Sequence, residues 1–510
     1  MFKNKIATPL LITLLVFLII SPILSLILTI TNYNGSELNL IINMRQFFVL
    51  IKTISFSILV AILSSTIGFY IAFTTFINQK KMLYLFIFSF LFISIPPYIF
   101  ALSFIEFSKI LNSNLITGFR ISAFVQTIYY IPFASIIFYL HINNINESYF
   151  DSSLIEISNL KSKLLTIKEF SFAPISFSLL LITLLSISNY AIPSIFAFNT
   201  YPIEIMSIFA NSNNLFSVIF TTLPLLLISI IISILIYKVF SKNYESFQIK
   251  SNNLFEIKNN YNNKIINIIL ILIIIIQTFS PIIFLLFDYS SIKAIVPSVI
   301  NNYQDILYTI IVIFISSLLI ILISTFFAYT AINSKKLKSF FIILSILLLG
   351  LPSSFVGISV NYLYNINFFD FLFYTPTMLI HSFVIRFLPI SFFIIFYDFI
   401  KYEKNYFYAA LLNTNSKIEI FKTIILPNSF YNIFFAFISV SILSIGEIGA
   451  SIIVMPPGKS TLAVIIYNYL HYGSSDSVKG LSLFIFILLI LISFFIIKLI
   501  KIKRSNYYEQ

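Results

Sequence analysis

The sequence predicts an all-α, polytopic membrane protein of about 12 transmembrane helices. Of its 510 residues, 59% are hydrophobic and only 10% are charged, and the mean hydropathy is +1.01. Soluble domains do not have this balance, whereas apolar runs of about 20 residues are long enough to cross a bilayer as helices. Such runs follow one another along the whole chain, which leaves little sequence for an aqueous domain.

We place each span by the length and apolarity of its run. In chain order the predicted spans are 7–30, 47–76, 82–105, 121–141, 173–197, 214–239, 265–287, 304–330, 339–364, 375–400, 428–452 and 477–500. The first run lacks the Ala-x-Ala exit of a cleaved signal peptide, so we expect it to be the first span.

The chain has a net charge of +13, and its positive charges are distributed as the predicted topology requires. If the N-terminus is inside, most of the 31 Lys and Arg residues fall in inner connections and the C-terminal tail. Short loops rich in Lys and Arg mark the cytoplasmic side. The sequence therefore predicts a multi-pass protein with both termini cytoplasmic. We expect it to be surrounded by membrane lipid and not to bind nucleic acid. It contains no cysteine, which excludes disulfides and thiolate metal sites.

The chain divides into two predicted halves of six spans, 1–239 and 265–510, joined by a polar cytoplasmic linker at 240–264. Because six is even, both halves enter the membrane in the same direction and form a parallel repeat. Short matches at an offset of about 257 residues support the repeat. They pair Ser65-Thr66 with Ser324-Thr325, Ile95-Pro96 with Leu351-Pro352, and Pro132 with Pro389.

The long inner loops 142–172 and 401–427 lie at matching places in the two halves. In the second loop, Ala409 and Ala410 favour helix, Asn413-Thr-Asn-Ser416 interrupts it, and Ile418–Leu426 restarts it. Pro427 then begins the eleventh span, where the missing N–H costs nothing. An ordinary amphipathic connection on the membrane surface would also fit this pattern.

The spacing in the second loop resembles the permease halves of binding-protein-dependent ABC importers. Those carry Glu-Ala-Ala, three residues, Gly, nine residues and Ile-x-Leu-Pro. This chain has Tyr408, Ala409, Ala410, Thr414, Ile424, Leu426 and Pro427 in that register, departing at Tyr408 and Thr414. The first loop is more distant, with Asp151, Ser152, Ser153 and Ile167 in register but Glu169-Phe170 in place of Leu-Pro. The resemblance implies that both loops are coupling helices that bind ATP-binding ABC subunits.

The segment 442–485 resembles the fused, two-half permeases of ferric-iron importers. The matching runs are Gly446-Glu-Ile-Gly-Ala450, Pro456-Pro-Gly458, Thr461-Leu-Ala-Val464, Ile466-Tyr467 and His471-Tyr-Gly473. In the first half, Ser188-Asn-Tyr-Ala-Ile-Pro-Ser194 resembles the family's Asp-Phe-Gly-x-Pro run, with Asn189 replacing the acid.

This resemblance implies a bacterial inner-membrane permease that imports ferric iron from a periplasmic or surface binding protein. It also implies two partner ATPase subunits, which carry the ATP and Mg, and no cofactor on this chain. Thiamine permeases share the fused layout and remain the alternative for the cargo.

We take Arg386 and Glu447, which fall inside predicted spans, as the intramembrane charges. Intramembrane ionisable residues usually face a cavity or a partner, so we take both, with Asn189, Gly446 and Gly449, as candidates for the translocation pathway. We expect Arg386 near the middle of the tenth span and Glu447 within about two turns of the outer end of the eleventh. A structural ion pair and a substrate contact both fit these residues.

Other chemistry finds little support in the sequence. Gly458-Lys-Ser-Thr461 lacks the glycine that a phosphate loop needs five residues earlier, where Ile453 stands. His141, His381 and His471 show no metal-ligand spacing. We therefore predict no catalytic or metal site and no enzyme activity in this chain. An ion-coupled secondary transporter is the competing class, and it would require titratable membrane carboxylates, for which only Glu447 qualifies.

Overall fold

All regular secondary structure in the described residues of the computed structural model is helical. The described residues are 15–16, 19–25, 27–28, 43–77, 95–110, 117–142, 171–211, 215–242, 268, 271–272, 276, 289–366, 369–401, 417–472, 476–489 and 491–492. For this part of the chain the predicted all-α class is confirmed.

The α-helices are labelled here in chain order. They are α1 (Met44–Ile77), α2 (Pro97–Ile110), α3 (Phe119–Ile142), α4 (Phe172–Ile187), α5 (Ala191–Ile195), α6 (Tyr201–Asn211), α7 (Leu215–Lys242), α8 (Tyr289–Asn301), α9 (Tyr303–Asn333), α10 (Lys335–Gly350), α11 (Ser353–Tyr364), α12 (Pro376–Lys401), α13 (Leu426–Ile445), α14 (Ser451–Val454) and α15 (Leu462–His471). A single helical turn, Lys417–Ile420, and a π-helix, Phe421–Ile425, lead into α13.

Six helices in the described residues are long and apolar enough to cross a membrane. They are Met44–Phe76, Phe119–Ile142, Ser217–Lys242, Tyr303–Asn333, Pro376–Ile400 and Phe421–Ile445. A seventh span results if α10 and α11, which meet at an angle of 101°, are taken together. The chain therefore has the helices of a polytopic membrane protein.

Three predicted spans are interrupted rather than continuous. The span 339–364 is bent by 101° between α10 and α11, where Pro352 provides no N–H to continue the helix. The span 173–197 stops at Ile187 and resumes only as the five-residue α5. The span 428–452 stops at Ile445 before the four-residue α14. A uniform apolar run does not reveal such breaks, because all of its side chains favour burial equally.

Large parts of four other predicted spans, 7–30, 82–105, 265–287 and 477–500, lie outside the described residues, as does the linker from 243 to 264. The total of twelve spans stays a prediction.

The chain forms two compact units. Unit I comprises Ile42–Glu204 and Leu227–Tyr289, and unit II comprises Met1–Ile41, Ile205–Leu226 and Ser290–Gln510. The described part of the N-terminal segment belongs to unit II, where the Ser21 hydroxyl lies 3.2 Å from His381 Nε2.

In unit I, α1 and α3 run in the same direction and lie very close together. Phe56 contacts Phe119 near one end of the pair, and Phe69 contacts Phe138 nearer the other. A Cβ on Gly68 would lie 2.5 Å from Ala134 Cβ, so the absence of a side chain allows this approach. The helix α4 packs against both α1 and α3.

Unit II repeats this packing with other helices. Here α9 packs against α12, and α13 packs against both of them. The rings of Phe314 and Phe437 lie 5.9 Å apart, and those of Tyr329 and Phe421 lie 4.6 Å apart, so α13 runs antiparallel to α9. The short helices α5 and α14 also have matching neighbours, since α5 packs on α2 and α3, and α14 on α11 and α12.

A matching hydrogen bond accompanies the matching packing. In unit I the Thr53 hydroxyl accepts the backbone N–H of Tyr201, the first residue of α6, at 2.8 Å. In unit II the Thr309 hydroxyl accepts the N–H of Leu462, the first residue of α15, at 3.0 Å. The first N–H groups of a helix lack partners within it, so each threonine satisfies one of them.

Candidate functional site

Glu447 lies just beyond the C-terminal end of α13 and not inside a helix. Gly446 caps α13: its N–H group donates to the Leu443 carbonyl at 3.1 Å, and the N–H group of Glu447 donates to the Ser444 carbonyl at 3.3 Å. Our sequence prediction placed Glu447 within the span 428–452, and the break after Ile445 corrects this. We call residues 446–450 the second-half break.

Arg386 and Glu447, the two charged residues that we took as pathway candidates, pair with each other. Glu447 Oε2 lies 3.3 Å from Arg386 Nε and 3.2 Å from Arg386 Nη2, so the guanidinium binds the carboxylate oxygen through two nitrogens. The side chain of Arg386 is 18% exposed and that of Glu447 is 7% exposed. Taking two charges out of water is costly, and the pairing offsets that cost.

The third nitrogen of Arg386 reaches a different element. Nη1 donates to the carbonyl oxygen of Leu351 at 2.9 Å. Leu351 stands at the bend between α10 and α11, where Pro352 follows it. One side chain on α12 therefore holds the α10–α11 bend and the second-half break at the same time.

The second oxygen of Glu447 is also in use. Oε1 accepts the backbone N–H of Ala450, the residue just before α14, at 3.1 Å. The Ser451 hydroxyl donates to the main-chain carbonyl of Glu447 at 2.8 Å. Both carboxylate oxygens of Glu447 therefore have partners within the protein.

Small residues bring α11 against the second-half break. A Cβ on Gly449 would lie 2.2 Å from Ser353 Oγ, which is far inside contact distance. A Cβ on Gly357 would lie 3.0 Å from Ile453 Cβ. Asn361 Nδ2 contacts the Ile453 carbonyl at 3.5 Å. Glycine is therefore needed at 449 for space, whereas Gly446 has φ −88°, which any residue can adopt.

Asn189 occupies the corresponding place in unit I. It follows the end of α4, and its Oδ1 accepts the backbone N–H of Ile192 at 3.2 Å, which caps α5. Its Nδ2 donates to the hydroxyl of Tyr130 at 3.2 Å, and that hydroxyl donates to the Leu185 carbonyl at 3.0 Å. In the first-half break, 188–190, as in the second-half break, a side-chain oxygen accepts the N–H three residues further on, but the other partner of the side chain is neutral.

Sequence reasoning missed Leu351 and Tyr130 as partners. The repeat would not have found Tyr130, because it pairs Arg386, three residues before Pro389, with the neighbouring Tyr129, three residues before Pro132. The contact with Leu351 is made by its main-chain carbonyl, so no pattern of side chains in the sequence could indicate it.

Most coupling-loop candidates lie outside the described residues. These are Asp151, Ser152, Ser153, Ile167, Tyr408, Ala409, Ala410 and Thr414. Of the rest, Ile424 lies in the π-helix, and Leu426 and Pro427 are the first two residues of α13.

The described end of this loop is anchored to two neighbouring helices. The Phe421 ring lies 4.6 Å from that of Tyr329 in α9 and 6.1 Å from that of Phe399 in α12. A hydrogen bond from Asn432 to Asp398 joins α13 to α12 nearby. Asp398 is a buried carboxylate that our sequence reading overlooked, and its Oδ2 has no hydrogen-bond partner among the described residues.

The segment 458–461, which resembles part of a phosphate loop, is a surface loop held by contacts with α9. The backbone N–H of Ser460 donates to Asp305 Oδ1 at 3.0 Å, and Lys459 Nζ lies 5.3 Å from the centre of the Tyr308 ring. A carboxylate therefore takes the N–H group that a phosphate would need.

The histidines do not come together in a metal site. In the described residues, no group of three or more His, Cys, Asp or Glu is placed to hold a metal ion. His141 is buried in α3, His381 lies beside Tyr364, and His471 stacks edge-on against Tyr467.

No protein-family model, curated protein or solved structure matches this chain. The case for a function therefore rests on the residues and their geometry.

Proposed function

We propose that this chain is the permease subunit of an ATP-driven importer of the binding-protein-dependent ABC type. The observation that carries the proposal is the pair of helix breaks at Asn189 and Glu447, in each of which the side chain accepts the backbone N–H three residues further on. Interrupted helices are tolerated at membrane depth where they are buried in protein or line a pathway. In transporters built from repeats they mark the route of the substrate.

The proposed architecture is twelve spans in two parallel six-helix repeats. The order of packing supports it, since α1, α3 and α4 contact one another as α9, α12 and α13 do. The parallel direction of α1 and α3 also requires the chain to cross back between them. The predicted span 82–105 would supply that crossing.

The proposed contact with the ATPase is through the loops 142–172 and 401–427. Support comes from the register of Ala409, Ala410 and the Leu426-Pro427 end. In addition, α13 is continuous from Leu426 to Ile445, so it joins this loop directly to the second-half break. Only a difference in ATPase affinity between two states of the permease can drive the transition between them.

Ferric iron delivered by a binding protein is the proposed cargo, on the strength of the resemblance over 442–485. A permease supplied by a binding protein needs few selective contacts, so thiamine or another small solute remains the alternative. Competition between iron and thiamine in an uptake assay separates the two.

The test of the proposal is purification of the tagged, full-length chain from its native membrane in mild detergent. We expect a co-purifying subunit with a phosphate-loop motif and ATP hydrolysis that the permease stimulates. Uptake in membrane vesicles should require ATP and persist when ionophores remove ion gradients. A chain that purifies alone and transports in response to an ion gradient contradicts the proposal.

Asp398 is the observation that favours the second candidate, an ion-coupled transporter. A buried carboxylate with one oxygen that lacks a partner among the described residues is the kind of group that binds or releases a proton during transport. The ionophore experiment decides, and uptake by Asp398→Asn adds a second measurement. Under the importer proposal, this variant keeps ATP-dependent uptake because the amide can still bond to Asn432.

A further inference from the structure

We infer that Arg386 is a latch residue, whose guanidinium holds the α10–α11 bend and the second-half break together and releases them when the pathway opens. The opening step belongs to the transport cycle and so rests on the proposed function. The latch geometry does not, because it can be tested on the isolated chain.

The first argument is that Arg386 joins elements that the main chain leaves separate. Its three nitrogens bind Leu351 O and Glu447 Oε2, which lie in two different helix interruptions. A guanidinium suits this role because its donors lie in a fixed plane and point in different directions. A single ammonium group would not hold both acceptors with the same geometry.

The second argument is electrostatic. Leu351 caps the C-terminal end of α10, and Glu447 follows the C-terminal end of α13. Both helix ends carry partial negative charge, so they and the carboxylate attract the same cation. Without the guanidinium, these negative ends would repel one another, and the two interruptions would move apart.

The third argument is that two buried hydroxyl groups, close in sequence to Leu351 and Glu447, lack hydrogen-bond partners while Arg386 holds both interruptions. Within the part of the chain that the structure describes, Ser354 Oγ in α11 and Ser444 Oγ in α13 are buried and have no hydrogen-bond partner. Ser354 follows the serine that contacts the Gly449 position, and Ser444 lies three residues before Glu447. Unsatisfied hydroxyls cost free energy that exposure to water would recover, which favours a second, open arrangement.

The fourth argument concerns how the latch would be released. The helix α13 runs without interruption from the loop segment at Leu426 to Ile445, two residues before Glu447. A helix of this length spans about 30 Å and transmits a displacement along its whole axis. Movement at its loop end would withdraw Glu447 from Arg386, whereas Arg386 would stay with α12.

Chemical rescue tests the latch geometry on the full-length chain in detergent. Arg386→Ala should lower the Tm by several degrees, and millimolar guanidinium chloride should recover part of the loss. The matched controls are sodium chloride at equal concentration and the double variant Arg386→Ala/Glu447→Gln, and neither should show recovery. If guanidinium raises the Tm of Arg386→Ala no more than sodium does, the proposed acceptor site does not exist and the inference fails.

Thiol labelling tests the opening. In this cysteine-free chain, Ser444→Cys should react slowly with a small maleimide, and adding Glu447→Gln should accelerate labelling at least about tenfold, since a charged hydrogen bond contributes about 1.5–3 kcal/mol. The control is Ser178→Cys, a buried position in α4 of unit I, with and without Glu447→Gln. Equal acceleration at both positions means general loosening and overturns the latch, as does acceleration at neither.

The two proposals fail separately. If no ATPase co-purifies and yet guanidinium rescue and selective labelling are observed, the importer proposal falls and the latch stands. If an ATPase co-purifies and the rescue and labelling results are negative, only the latch falls.

Discussion

Asn189 and Glu447 perform the same local task in two different units. Each follows the end of a long helix, and each side chain accepts the backbone N–H three residues further on, at 3.2 and 3.1 Å. They differ in their second partner, which is the hydroxyl of Tyr130 for Asn189 and the guanidinium of Arg386 for Glu447. The cap and the ion pair are therefore separable contributions of Glu447.

Replacing Glu447 tests this separation. Glu447→Gln keeps an oxygen that can cap Ala450 and loses the ion pair, so we expect impaired uptake with an unchanged amount of folded complex. Glu447→Ala also loses the hydrogen bond to the Ala450 N–H, and leaving this buried donor without its acceptor should cost about 1–3 kcal/mol more in stability. Uptake assays and thermal unfolding measure the two effects. Normal transport by Glu447→Gln, together with poor assembly of Glu447→Leu, would make the residue a structural polar anchor.

The coupling loops should be unequal. Ala410→Asp introduces a charge on the face that we expect to enter the ATPase, and it should abolish ATPase association or transport while membrane insertion stays normal. Ser153→Asp is the matched change in the first loop and should have the smaller effect, because that loop keeps less of the pattern. Co-purification and uptake report both variants. Negligible effects from both would contradict a coupling role.

The close contact between Gly449 and Ser353 predicts a suppressible defect. Gly449→Ala forces a Cβ against Ser353, and overpacking of this kind typically costs about 1–3 kcal/mol. The double variant Gly449→Ala/Ser353→Gly removes the opposing atoms and should recover most of the lost Tm. If the double variant is no more stable than the single one, the contact is not the cause of the loss.

Ala197 offers a stabilising change. It has φ +52°, a left-handed conformation that disfavours a Cβ, and it lies just after α5, where glycine is common. Ala197→Gly should raise stability by up to about 1 kcal/mol, measured as an increase in Tm. The same change at Ala191, inside α5, should lower it.

The topology predicts which positions a membrane-impermeant thiol reagent can reach. Because the chain has no cysteine, a single Cys at 250 or 415 reports on its own loop. We expect no labelling from outside intact cells and full labelling in inverted vesicles, since lysine-rich loops stay cytoplasmic. Labelling of either position from outside would refute the proposed orientation.

Composition and apolar run length were sufficient to predict the all-α class and the long helices such as α1, α9 and α12. They could not predict that α4 and α13 stop early, because the breaks that follow these helices are stabilised by side-chain contacts of Asn189 and Glu447 that an apolar run does not show. The charges Arg386 and Glu447 were conspicuous in the sequence, but their pairing depends on how α12 and α13 cross. Leu351 could not be found at all, since the group involved is a carbonyl that every residue has.

The π-helix Phe421–Ile425 has a consequence for how the loop before α13 is presented. A π-helical turn holds one residue more than an α-helical turn. Deleting one residue there would let the helix continue regularly, and it would rotate the preceding turn, Lys417–Ile420, by about 100° around the axis of α13. The direction in which the chain offers this segment to a partner is thus encoded by the number of residues in one turn, independently of what those residues are.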